Sequence, residues 1–263
     1  MGLPSFITPI MGKKQGYLPL TTAWIAATGE TSTTILNALN TFEAGLIANS
    51  LTTKFNALYP FVGGTSTKHA FNFMNTSLYN LTFNGGWTHN ANGALNGVNG
   101  YATTGIIPSV TLSQNDNHLS SYMGIISNAN SDIGAFTSIP APTRVLELDT
   151  RTGGLFRYFG NDATTLQVAT ADNKGWSLGT RTASTTKTIY KNGVSVGTNS
   201  VASVGLPIVQ IYLGTRNVDG VAQAPSSVNR HQFDSIGSGL TAGETSTLYT
   251  LIQAMQTSLS RNV

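Results

Sequence analysis

From residue 60 onward the chain is cut into short apolar and β-branched runs, separated by Asn, Gly, Ser and Pro. They include "GYATTGIIP", "LSSYMGIIS", "RVLELDTR", "GLFRYFG", "TTLQVAT", "GWSLGTRT", "TKTIYKNG", "VSVGTNS" and "IVQIYLGTR". Runs of this length fit strands, and their close succession with turn residues between them is the pattern of an all-β sandwich. One turn can be placed outright. In "TIYKNGVSVGT", Asn192 and Gly193 supply the positive φ angles that a two-residue hairpin demands, so Lys191 and Val194 flank it.

Helical patterns lie on both sides of this region. Ile35, Leu39, Phe42 and Leu46 fall on one helical face, with Thr31 or Ser32 available as a cap, and a second short run with Leu51, Phe55 and Leu58 ends at Pro60. Near the other end Thr241 and Glu244 form a capping box ahead of Leu248, Leu251, Ile252, Met255 and Leu259, which predicts a helix over 241–260 packed on the sandwich. Pro4, Pro9 and Pro19 make residues 1–20 an extended arm. The chain thus divides into an arm (1–20), a helical attachment and assembly segment (21–59) and a sandwich with its closing helix (60–263). The apolar stripe of the second part has no evident partner within that part, which points to burial against other chains.

Composition removes several classes of function. Of 263 residues only 10% are charged, 14 basic against 11 acidic, and Lys13–Lys14 is the one adjacent basic pair. Nucleic acid needs clustered cations to neutralise successive phosphates, so it is not an expected partner. There is no cysteine for a disulfide or a thiolate metal site, no run of 18 apolar residues, and no signal-like start, so neither membrane insertion nor signal-directed export is expected.

The stretch "GGWTHNANGALNGVNGYATTGIIPS" (85–109) spaces Trp87, Leu95, Val98, Tyr101 and Ile106 among turn-forming Gly and Asn, and these five are expected to alternate into the core. Asn90, Asn92 and Asn99 are turn formers first. "NGALNGVNGYATTGIIPS", followed in order by "LSSYMGII", "TIYKNGVSVGT", "IYLGTR" and the closing helix, resembles laminin-G-like, concanavalin A-like (jelly-roll) antiparallel sandwiches. With "LYPFVGGTSTKHAFNF" upstream, the set looks like the lectin-like domains of tailed-bacteriophage structural proteins, such as capsid decoration, head-fibre or tail adhesin components. That resemblance implies a non-enzymatic protein on the virion exterior. Its implied partners are other virion proteins through the N-terminal segment, sister copies of the chain, and a host-surface polysaccharide. A glucanase-type hydrolase or a cellular carbohydrate-binding protein are the alternatives.

"VLELDTR" is the one enzyme-like string. It resembles the E-x-D-x-x-E strand of glucanases on this fold, with Glu147 and Asp149 at the first two acidic positions, but Thr152 stands where the second Glu is needed. Retaining hydrolysis needs a carboxyl to attack and another to protonate the leaving oxygen, and Thr152 cannot donate that proton. Glu147 and Asp149 are then expected to pair with Arg144 or Arg151. His69, His89, His118 and His231 show no metal-ligand spacing; the loops around Asp116 and Asp219 hold too few carboxylates for calcium, so no cofactor or metal is expected. For a sugar, Trp176 with Asn173 and Asp172 in "ADNKGWSLG" is the expected contact, an aromatic face beside amide and carboxyl groups. The competing reading makes Trp176 a core residue at a strand start.

Overall fold

The computed structural model describes residues 16–128, 131–224 and 228–263, so the first fifteen residues of the expected arm lie outside the described part. Helices α1 (Pro19–Thr28) and α2 (Thr33–Ala48) lead into strand β1 (Phe55–Tyr59) and a short helix α3 (Ser66–Ala70). Strands β2 (Thr82–Asn84), β3 (Trp87–Asn90), β4 (Gly93–Asn96) and β5 (Tyr101–Thr103) precede the single turn α4 (Pro108–Thr111). Next come β6 (Asn117–Met123), β7 (Ile133–Thr137), β8 (Arg144–Thr152), β9 (Leu155–Gly160) and β10 (Leu166–Ala169). After them run β11 (Gly175–Ala183), β12 (Thr186–Lys191), β13 (Val194–Asn199), β14 (Tyr212–Leu213), β15 (Arg216–Val218) and β16 (Val221–Ala222). The chain closes with β17 (Arg230–Gly237) and α5 (Ala242–Ser258).

The strands form two sheets. The first runs β13-β12-β11-β6-β17-β4-β3, with β1 also on β17; the second runs β10-β9-β8-β7-β14-β5-β2, with β15 also on β7 and β16 on β15. Pairing is antiparallel throughout except between β15 and β7. The expected hairpin is present: Lys191 pairs with Val194, and Asn192 and Gly193 hold φ of 49° and 76°. Between the sheets lies a core that includes Leu119, Ile133, Leu146, Phe156, Tyr158 and Ile236. Gly179 permits the close approach there, since a Cβ on it would lie 2.2 Å from the Tyr158 ring.

A second apolar layer covers the outer face of the first sheet. Leu36, Leu39, Phe42 and Leu46 of α2 and Leu248, Ile252 and Met255 of α5 pack on Tyr122, Trp176, Leu178 and Phe233, with Phe42 edge-on to Phe233 at 5.8 Å. The stripe of α2 is therefore spent inside the chain. Leu51 is likewise buried, and the run expected to be helical after it is a 3-10 turn followed by β1, because Phe55–Tyr59 pairs with Asp234–Gly237 of β17. Tertiary pairing overrides a helical spacing that local sequence alone left open. Within segment 21–59, then, the α2 stripe packs on the first sheet and β1 is one of its strands.

Pro19 begins α1 rather than ending an arm; at the first helical position its missing N–H costs nothing. Leu18 offers no side-chain cap, and Glu43 of α2 serves instead: its carboxylate accepts from the Leu20 and Thr21 amides and the Thr21 hydroxyl, each at 2.8 Å. Ser32 caps α2, and the Thr241–Glu244 capping box is in place on α5.

Phe42→Ala is expected to cost about 3–5 kcal/mol, the range for emptying a buried aromatic site, read as a lower urea midpoint. Deleting residues 1–54 is expected to leave insoluble protein, in contrast to a free sandwich, because it strips α2 from Phe233 and from the apolar side of α5. A soluble, cooperatively melting truncation would show that the helical layer is dispensable.

Candidate functional site

The helices cover the first sheet, and the second sheet turns its outer face away from them. Residue alternation decides what that face carries. Ala102 and Leu213 are fully buried in the inter-sheet core, so Tyr101, Thr103 and Tyr212 lie on the outer side of their strands, where Tyr212 is itself largely covered, with 7% of its surface exposed. Tyr212 pairs with Thr103, which places Tyr101 diagonally from Tyr212 across β5 and β14. Their rings stack with centroids 4.9 Å apart and 27° between planes, the reach expected of a diagonal aromatic pair. Of the five residues expected in the core from 85–109, Ile106 is fully buried, Trp87 and Leu95 are half-buried, and Val98 is 59% exposed. Tyr101 is half-buried on the outer face, because Ala102 takes the inner position of its strand.

A cleft flanks each ring. Beside Tyr212 a space of about 420 Å³ is lined by Gly105, Ile107, Val209, Gln210, Asn217 and Gly220. Beside Tyr101 one of about 220 Å³ is lined by Asn99, Thr215, Ala222, Gln223 and Ala224. Among the described residues no charged side chain lines either cleft.

Farther along the same face the charges are paired. Glu147 accepts from Arg216 at 2.7 Å, and the Arg216 guanidinium lies 5.1 Å from the Phe136 ring centroid. Arg157 grips one oxygen of Asp149 from two nitrogens, at 2.8 and 2.9 Å. The partners of these carboxylates are Arg216 and Arg157, not the expected Arg144 and Arg151. Arg157 is brought to Asp149 by the β8–β9 register, which sets the two opposite each other. Burial and then the neighbouring Glu147 charge hold the Asp149 carboxyl well above the usual carboxylate range. Thr152 sits at the end of β8, opposite Leu155. The nearby Asp132 is fully buried and accepts from Thr150 and Asn229.

The residues expected to hold a sugar lie elsewhere. Trp176 is fully buried beneath α5, stacked on Tyr249 at 6.2 Å, so its ring offers no face to a ligand. Asn173 is fully buried too; it accepts from the Ser127 amide and donates to Asn229, each at 2.9 Å. Asp172 is half-exposed and caps its own turn through the Lys174 amide. "ADNKGWSLG" is thus a structural entry into β11. Asp116 and Asp219 accept from the Gly239 amide and from Ser138, respectively. Among the described residues no group of three or more His, Cys, Asp or Glu is arranged to hold a metal ion.

Three of the four histidines, His69, His89 and His231, gather although the sequence scatters them, while His118 lies apart against Phe55. His69 and His89 meet Nδ1 to Nδ1 at 2.9 Å, and both His69 and His231 pack on Phe61. His231 Nδ1 is 2.7 Å from Asp234, whose other oxygen accepts from Ser121. This is not a hydrolytic triad, since Ser121 bonds to the carboxylate and all three residues are fully buried. Burial, with His89 and Arg261 nearby, lowers the pKa of His69 to about 3. For His231 burial acts downward, but the Asp234 carboxylate outweighs it and the pKa rises.

No protein-family profile matches the sequence, and no curated protein matches it. Solved structures do resemble the fold. The receptor binding domain of botulinum neurotoxin D aligns with 76% of this chain at 12% identity and a TM-score of 0.52. Domain 4 of the extracellular arabinanase AbnA of Geobacillus stearothermophilus aligns with 74% at 13% identity and 0.45. A sialidase of Trypanosoma rangeli aligns with 82% at 13% and 0.49. The chain covers 53% of the toxin chain, 38% of the trypanosomal sialidase and 26% of a streptococcal sialidase, against 98% of the arabinanase domain. At 12% identity the likeness to the toxin domain speaks for the fold alone, a β-sandwich of two sheets.

The His69 environment sets a pH dependence. The unfolded imidazole titrates near ~6.5 and the folded one near about 3, so the unfolded state takes up the proton first. The stability that neutral His69 supports is complete above the unfolded pKa and is lost as pH falls toward the folded one. Relative to His69→Gln, the parent is expected to lose up to about 1.4 kcal/mol per pH unit below ~6. Urea melts of both proteins at several pH values test this; parallel curves would contradict it.

Proposed function

We propose that this chain is a non-enzymatic, lectin-like display protein of a tailed-bacteriophage virion, holding its sandwich on the particle exterior and binding surface glycan through the outer face of its second sheet. The observation that carries the glycan reading is the stacked Tyr101–Tyr212 pair between two uncharged clefts. A sugar presents hydroxyls and apolar C–H patches, and a tyrosine ring beside amides and backbone groups complements both. The virion reading rests on the resemblance of "LYPFVGGTSTKHAFNF" and "LYTLIQAMQTSLSR", in combination with the ordered sandwich segments between them, to phage lectin-like domains.

The non-enzymatic reading draws on the chemistry of β8. A retaining hydrolase would need a free nucleophile and a second carboxyl across the scissile bond. Here Glu147 is engaged by Arg216 and Asp149 by Arg157, and Thr152 takes the place of the donor. Attachment to the particle and to sister copies falls to the N-terminal segment in this reading. Since α2 spends its stripe on the sandwich, its exposed side is what the described part of the segment leaves for that contact.

Tyr212→Ala is expected to weaken glycan binding by about tenfold or more, equivalent to ~1.4 kcal/mol, while Trp176→Phe leaves binding unchanged and lowers the melting temperature. Titration calorimetry with a polysaccharide of the host surface, alongside thermal melts, reads both effects. Reducing-sugar release is expected to stay at background for the parent and for Glu147→Gln. Turnover by the parent that Glu147→Gln abolishes would overturn the non-enzymatic reading, and absence of the chain from purified particles by mass spectrometry would overturn the virion reading.

A further inference from the structure

The site carries information about the length and charge of its ligand. The two clefts adjoin one aromatic pair, the larger lined by Tyr212 and the smaller by Tyr101. Neither is an enclosed hole. The smaller, at about 220 Å³, falls below the ~300–1,000 Å³ usual for a self-sufficient ligand pocket. A ligand using only one cleft would leave the other unfilled. An extended chain of linked units can cover both, with the tyrosines beneath the linkage.

The polar groups at the clefts are neutral. Gln210 spends its side-chain oxygen on the Gly105 amide at 3.1 Å, which fixes the carboxamide and leaves its NH₂ as a donor. Asn217 is held in the same way, donating to the Gln210 carbonyl and accepting from the Gly220 amide. On the other side Thr215 bonds to the Gln223 carbonyl at 2.7 Å and ties down the backbone beneath the Gln223 carboxamide. Arg216, next to Asn217 of the larger cleft in β15, is already on Glu147, and Asp219 beside that cleft is engaged by Ser138. Among the described residues no cation lines either cleft, so an anionic ligand would find no opposite charge there, whereas hydroxyls would find oriented amides.

We infer that the ligand of this face is a neutral oligosaccharide of at least two sugar units, which straddles the Tyr101–Tyr212 pair with one unit in each cleft. The inference rests on the glycan reading above and adds the ligand's minimum length and charge. The test is a microarray of neutral homo-oligosaccharides of glucose, galactose, mannose and N-acetylglucosamine, one to four units long, beside tetragalacturonate and sialyllactose. The parent, Gln210→Ala, Gln223→Ala and Ala222→Trp are compared on it, with thermal melts to verify that each variant is folded. Ala222→Trp fills the smaller cleft.

The expected result is a neutral series whose two-unit and longer members bind at least tenfold more tightly than the single sugar, with no change between low and high salt. Ala222→Trp and Gln223→Ala are expected to bring the longer members down to the single-sugar level, and Gln210→Ala to weaken every length. Equal binding of one and four units, or longer members untouched by Ala222→Trp, would overturn the two-cleft inference while leaving glycan binding intact. Binding confined to the acidic sugars and weakened by salt would overturn neutrality. A blank array for the folded parent would overturn both the inference and the reading beneath it.

Discussion

Strands β6 and β17 have no solvent face. All seven residues of β6 are buried, as is β17 after Arg230, so each strand must satisfy an apolar layer on either side. Tyr122 and Phe233 point to the helices, whereas Leu119 and Ile236 point to the other sheet. This double burial dictates the three-layer build, since a sheet with two apolar faces needs two covers. It also forces the polar residues of these strands to find one another: Ser120 and His118 both reach Ser235, at 2.6 and 2.9 Å, and Ser121 bonds to Asp234. Unpaired in that interior, each would cost the full desolvation of its polar group.

The two sheets are tied at separate places by buried polar clusters. At one, Asp162 after β9 takes Arg181 of β11 at 2.6 Å and Lys187 of β12 at 2.8 Å, all three essentially buried. At the other, Asp132 accepts from Asn229, which accepts from Asn173, while Asn96 accepts from the Asn229 amide. Such clusters add little net stability over apolar packing, but breaking one member leaves an uncompensated group inside. They fix which strand meets which. The outer face of the second sheet is held in place by this framework without contributing to it.

Much of this was legible where a local rule suffices. Asn192–Gly193, Ser32 and Thr241–Glu244 act within a few residues, and the backbone leaves them few alternatives. Phe55–Tyr59 was not legible, since its spacing suits a helix and only distant β17 makes it a strand. Trp176 and Asn173 stand among Asp, Lys and Gly, the company of an exposed loop, yet α5 and Asn229 bury them. The Tyr101–Tyr212 pair needs the β5–β14 register, which no local pattern supplies. A sign existed in the small Ala102, which marks the inward side of its strand and so turns Tyr101 outward.

Arg261 donates to the carbonyls of Pro60, Phe61 and Gln232, the first two contacts spanning about 200 residues of chain. The strand that opens the sandwich, β1, lies against the one that closes it, β17. No early half of the chain can therefore complete the first sheet by itself, because its central strand is the last to arrive. Closing so long a loop demands entropy before any contact returns it, which places this topology among slow folders. The same arrangement works in reverse once the fold is formed: opening must release the clasp between distant segments, so the lifetime of the folded state is governed by a barrier to unfolding as much as by its equilibrium stability.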